Sequence, residues 1–276
     1  MKVHWLVQAA AATIVVTVLQ AAFSFLVPAS GAGTPGLGGV LASNALTALV
    51  LEWLSARLAG TRVTRALTLW LIWGGIQACA LVEAVLFDIR IPEGDLPWLY
   101  AHALAVSAGV AAFLGLAFRP ADVQHAAPRP AWPSWWRVAL CDAAYIALYL
   151  AAGMLVYPFI REFYEASPMP SMAAVVATQV GRGLVLSGIV LLIVRRLVAT
   201  RRAAAAAAAA ALGILGGVAP LLIANPYLPD AIRYAHLPEV GVSNVLFGLL
   251  AGWLLSPPAT GAAGAERALA PAAPIG

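Results

Sequence analysis

The chain has 276 residues, of which 62% are hydrophobic and only 10% charged, with a formal net charge of +4. A soluble domain carries about a quarter charged residues. One aqueous core cannot bury this much apolar surface, so an ordinary water-soluble domain is excluded and lipid must solvate the excess.

Each crossing of roughly 30 Å of hydrocarbon needs about 20 apolar residues. Lipid offers the backbone no partners, so each crossing is expected to be a helix. Eight stretches qualify: 5–27, 36–56, 66–87, 97–118, 137–160, 171–194, 203–225 and 239–256. They predict an all-α, polytopic membrane bundle of eight transmembrane helices. Lys2, the first apolar run and Ser30-Gly31-Ala32 share features with a secretory signal. The run is too long for a usual signal core, so it is read as the first span.

Basic residues sort by side. With the amino terminus inside, twelve of the sixteen Lys and Arg fall in cytoplasmic segments and three (Arg90, Arg161, Arg233) in outer loops. Arg182 alone lies within a span. This positive-inside bias predicts a multi-pass cell-membrane protein with both termini cytoplasmic. The basic residues sit at helix ends without interleaved aromatics, which speaks against nucleic acid as a partner.

The halves resemble each other. Val40-Leu41-Ala42-Ser43-Asn44 pairs with Val175-Val176-Ala177-Thr178-Gln179. Gly74-Gly75 through Glu83 pairs with Gly216-Gly217 through Asn225, and Tyr100-Ala101-His102 with Tyr234-Ala235-His236. Three collinear matches argue for duplication. Residues 1–118 and 137–256 are therefore expected to form two parallel four-helix repeats about an axis along the membrane normal. Between them, 119–136 is a Pro-rich cytoplasmic linker. Its Trp132, Trp135 and Trp136 suit the interface. The tail 257–276 is Ala/Pro/Gly-rich and expected to be disordered.

Charges within hydrocarbon are costly and often functional. Four fall within spans: Glu52, Glu83, Asp142 and Arg182. Glu52 and Asp142 are expected to snorkel and pair with Arg57 and Arg137. Glu83 approaches the outer surface. Arg182 lies at mid-span, flanked by Gly181 and Gly183, which suit close helix approach, with Gln179 on the same face. An arginine at that depth needs a carboxylate, a wet cavity or an anionic ligand. A second polar cluster comprises Asn225, Arg233, His236, Glu239 and Ser243-Asn244. Pro238 suits the first turn of span eight, with Glu239 beside it. Arg182, Gln179, Glu83, Asn225, Arg233, His236, Glu239 and Asn244 are thus the candidate substrate-binding residues.

No motif for nucleophilic catalysis or nucleotide binding appears, and no cofactor is specified. His102 and His236 hold matched outer positions and raise the question of a metal or haem. Cys79 and Cys141 read as buried thiols rather than a disulfide. The leading expectation is transport or binding of a small, anionic solute. The alternatives are a membrane-embedded enzyme acting at the outer face on a lipid head group, and a non-catalytic assembly partner.

Overall fold

Lipid-facing sequence dictates continuous helices, and a computed structural model forms them throughout. It describes residues 2–26, 36–87, 91, 94–118, 132–166, 169–224 and 227–257. Most of the linker (119–131), the tail from 258 and Asn225 lie outside the described residues. So does the Ser30-Gly31-Ala32 segment.

Eight helices are long and apolar enough to cross a membrane. They are α1 (Lys2–Leu26), α2 (Leu37–Ser55), α3 (Arg62–Leu86), α4 (Leu96–Ala117), α5 (Trp135–Glu165), α6 (Met172–Arg196), α7 (Arg201–Leu222) and α8 (Asp230–Leu255). No strand is present among the described residues. The chain is therefore compatible with an integral membrane protein. Large apolar side chains such as Ile14, Leu155, Phe159 and Trp253 point outward, as a lipid-solvated bundle requires.

Inner packing is set by α2, α3, α6, α7 and α8. Leu51, Leu54, Leu69, Ile72, Val190, Ile193, Leu212, Leu215 and Phe247 are fully or almost fully buried there. Small residues permit the close approaches. A Cβ on Gly115 would collide with Ala66, one on Gly252 with Ala205, and one on Gly248 with Ala209.

One end of the bundle is basic, and its arginines satisfy open helix termini. The last carbonyls of a helix lack internal partners and carry partial negative charge. Arg65 donates to the Ser55 and Phe118 carbonyls, at 3.0–3.1 Å. Arg137 donates to Leu254 O and Arg201 to Trp253 O. At the same end the α2–α3 and α6–α7 turns meet. Leu58 opposes Leu197, with Ala59 N donating to Arg196 O (2.7 Å) and Val198 N to Arg57 O (3.0 Å). Thr61 and Thr200 then cap the following helices through their hydroxyls.

Two helices depart from the expected form. Helix α8 starts at Asp230, not at Pro238, which lies inside it. Pro229 ends the preceding extended segment, and Asp230 suits the first turn. Pro238 withholds a bond only from the Tyr234 carbonyl. Helix α7 is α-helical over Arg201–Ala210 and widens to a π-helix over Ala211–Val218. Gly213 and Gly217 there lie against Val245 and Gly241 of α8. Asn244 Nδ2 donates to Leu212 O at 3.3 Å, serving a carbonyl at the start of the widened segment.

Candidate functional site

Helix α3 ascends from the basic end and presents Glu83 near its opposite terminus. Helix α6 runs the other way, and Arg182 lies about 15 Å below its start at 1.5 Å per residue. Helical side chains lean toward the amino terminus, so the Arg182 side chain reaches outward. Its Nη1 meets Glu83 Oε2 at 2.7 Å and donates to Gln179 Oε1 at 2.9 Å. Arg182 retains 12% side-chain exposure and Glu83 28%.

Helix α5 supplies a tyrosine wall. The Tyr145 hydroxyl donates to Gln179 Oε1 at 3.2 Å, and its ring lies 6.0 Å beneath the Arg182 guanidinium. Tyr149 adds a side-chain interaction with Glu83. One turn from Tyr145, Asp142 packs on Gly183, where a Cβ would collide with Asp142 and Tyr145. The close approach expected of Gly183 is therefore made. Gly181 has nothing within 4 Å of its Cβ position.

The cluster holds more polar capacity than it uses. Gln179 Nε2, Arg182 Nε, Asp142 Oδ1 and Ser187 Oγ are buried and find no hydrogen-bond partner among the described residues. Gln179, Gly183 and Ser187 are spaced by four along α6 and form one stripe. Such a group costs about 1–3 kcal/mol when left unsatisfied, so these atoms mark where a polar species gains most.

A second cluster lies at the end opposite the basic one. The Tyr164 hydroxyl is 2.8 Å from His236 Nε2, and His236 Nδ1 is 2.5 Å from Glu239 Oε2. Because α8 begins at Asp230, His236 and Glu239 share one helical face at a spacing of three. Glu239 faces Gly153 of α5, and Phe87, just after α3, packs edge-on against Tyr164. Tyr164 lies within electrostatic reach of both Glu83 and Glu239. It thus stands between the two clusters.

Other candidates are engaged elsewhere. Arg233 is buried, donates to Leu221 O at 2.5 Å and pairs with Asp230 at 2.7 Å, tying α8 to the end of α7. Asn244 serves the π-helical segment. His102 packs against Phe23 of α1, and its Nε2 is buried without a partner among the described residues. His102 and His236 therefore meet different helices. No three His, Cys, Asp or Glu side chains among the described residues form a metal-holding group. Cys79 and Cys141 are free and buried.

The pairing expected for Glu52 and Asp142 is not formed. Arg57 donates to Trp53 O and covers the Trp53 ring at 4.5 Å. Arg137 turns to Leu254 O and Trp136. Both arginines instead satisfy carbonyls and stack on tryptophan rings at the basic end of the bundle. Glu52 is buried with Oε2 unpartnered among the described residues.

Sequence reasoning missed Tyr145, Tyr149 and Tyr164. The available signal was their spacing: Tyr145 and Tyr149 are four apart on α5, hence on one face. Comparisons with protein-family models, curated proteins and solved structures find no match to this chain.

Proposed function

We propose that this chain is a cell-membrane transporter or binding protein for a small anionic solute, held at Arg182. One observation carries the reading. A mostly buried guanidinium directs one nitrogen, Nη1, at both the Glu83 carboxylate and Gln179 Oε1, while Arg182 Nε and Gln179 Nε2 find no partner among the described residues. A solute carboxylate or phosphate would accept from both and compete with Glu83 for the charge. Buried charges that exchange partners in this way suit solute pathways. The test is reconstitution in liposomes with uptake of labelled phosphate and of small mono- and dicarboxylates. Wild type should take up at least one. Arg182→Leu should abolish that flux, and Arg182→Lys should weaken it by losing bidentate contact. Flux that Arg182→Leu leaves intact rules the reading out.

The Tyr164–His236–Glu239 chain supports a second reading, an enzyme acting at the outer face on a lipid head group. A carboxylate orients the imidazole, which then works as acid or base beside a hydroxyl. Turnover of outer-leaflet lipid that is lost in His236→Ala and kept in Arg182→Leu would favour it.

The same proposal covers symmetry and orientation. Residues 1–118 and 137–256 are two parallel repeats joined by the 119–136 linker. Leu58 with Leu197, Thr61 with Thr200, and Ala66 with Ala205 share one offset and equivalent roles. Under that offset Asn44 pairs with Gly183, one turn from the Gln179 suggested by sequence. The buried residues Ala48, Leu51 and Leu54 then match Ser187, Val190 and Ile193. The arginine-rich end is cytoplasmic by charge. Reporter fusions in the linker and at the carboxyl terminus should both report a cytoplasmic location.

A further inference from the structure

The Arg182 cluster carries an open acceptor as well as open donors. Arg182 Nε and Gln179 Nε2 donate to nothing among the described residues, and Asp142 Oδ1 accepts from nothing there. All three atoms are buried, and Gln179 is buried as a whole. Asp142 Oδ1 occupies the place that a Cβ on Gly183 would need. Gly183 directly follows Arg182 and lies four residues after Gln179, on the same face of α6. The acceptor and the Gln179 donor are therefore set about 6 Å apart along the helix axis. Tyr145 spans that interval, its ring against the Gly183 position and its hydroxyl donating to Gln179 Oε1.

The charges here do not suit a plain anion. Glu83 already pairs with Arg182. Asp142 has no such cation, because Arg137, five residues before it, turns to Leu254 O and the Trp136 ring. The cluster thus sets two carboxylates against one guanidinium. A plain anion would add a third negative charge, and burying charge without a counter-charge is costly. A solute that brings its own cation removes that cost. Building on the transport reading above, we infer that the solute is a small zwitterion of the amino-acid class. Its carboxylate accepts from Arg182 Nε and Gln179 Nε2, and its ammonium donates to Asp142 Oδ1. Two hydrogen bonds of about 2.8 Å and the short carbon link of an amino acid cover the axial interval. Each open atom of the three then gains a partner.

The test uses the full chain in detergent, titrated by calorimetry with L-alanine, β-alanine, propionate and inorganic phosphate. Propionate shares the carbon skeleton and carboxylate of both amino acids but lacks the ammonium. Wild type should bind at least one of the two amino acids about tenfold or more tightly than propionate. Asp142→Asn keeps the shape of the side chain and should bring that ratio to about one. Glu162→Gln removes an exposed acid from the same helix and should leave the ratio unchanged. Arg182→Leu should abolish binding of every solute. Propionate or phosphate bound by wild type as tightly as the amino acids would overturn the zwitterion and leave the anion site standing. Amino-acid binding that survives Arg182→Leu, or no binding of any solute, would overturn both. A ratio that Asp142→Asn leaves intact, or that Glu162→Gln lowers equally, would also overturn the assignment. If Asp142→Asn does not fold, the wild-type ratio decides alone.

Discussion

Arg182 Nη1 lies 2.7 Å from Glu83 Oε2, so one ion pair joins α6 to α3 across the two halves of the chain. The pair is mostly buried, and Gln179 and Tyr145 add hydrogen bonds around it. Removing one partner of such a pair strands the other charge, whereas removing both does not. Arg182→Leu is therefore expected to destabilise the protein by about 3 kcal/mol. Arg182→Leu with Glu83→Leu should recover most of that loss. Thermal unfolding in detergent measures both. A double variant no more stable than the single one would show that the pair is not the source of the effect.

Gly183 and Gly181 form a matched contrast on one turn of α6. A side chain at 183 meets Asp142 and Tyr145, while one at 181 meets nothing within 4 Å. Gly183→Leu should cost about 1–3 kcal/mol through overpacking, and Gly181→Leu should stay within about 0.5 kcal/mol. Equal melting temperatures for the two variants would contradict the close approach of α5 and α6.

Tyr227 closes a contact between the two halves of the chain at the end opposite the basic one, its hydroxyl donating to Asp95 Oδ2 at 3.0 Å. Partial burial and then the bond to Asp95 raise the phenol above its usual pKa. The folded state holds this proton more tightly than the unfolded chain does. The contribution to stability is thus full below the usual tyrosine value of about 10. It is lost as pH rises through the higher folded value. Wild type should lose stability more steeply than Tyr227→Phe above about pH 10. Superimposable unfolding-against-pH curves would remove Tyr227 from the account.

Much of the fold was legible because lipid imposes one rule on every span: long apolar runs must be helices. The eight runs of low charge accordingly became eight helices, most ends shifted by a few residues and the start of α8 lying well before the expected 239, at Asp230. Other features depended on tertiary partners that periodicity does not carry. Pro238 was misplaced as a helix start because its local chemistry suits one, and the decisive start signal at Pro229-Asp230 is equally local. The π-helical turn over Ala211–Val218 has no sequence mark of its own, and only the Asn244 bond to Leu212 O reveals its use. Arg182 stood out as a lone mid-span charge. Tyr145 did not, since a tyrosine within a span is neutral and common. Arg57 seemed paired with Glu52 by proximity in sequence, yet the Trp53 ring and carbonyl hold it instead.

Leu58 and Leu197 offer a covalent test of the repeat arrangement. Their neighbours exchange the hydrogen bonds Ala59 N to Arg196 O and Val198 N to Arg57 O. Leu58 and Leu197 are thus a non-hydrogen-bonded antiparallel pair, for which Cα atoms lie about 4.5 Å apart. That separation falls inside the range of about 4.4–6.8 Å that a disulfide spans. Leu58→Cys with Leu197→Cys, in a background where Cys79 and Cys141 are alanine, should therefore cross-link under mild oxidation. A protease site placed in the 119–136 linker makes the result visible. After cleavage, the halves should migrate together without reductant and separate with it. Leu58→Cys with Tyr234→Cys joins opposite ends of the bundle and should never cross-link. Failure of the Leu58 and Leu197 pair in a folded protein would remove the contact on which the shared offset is anchored. The parallel-repeat proposal would fall with it.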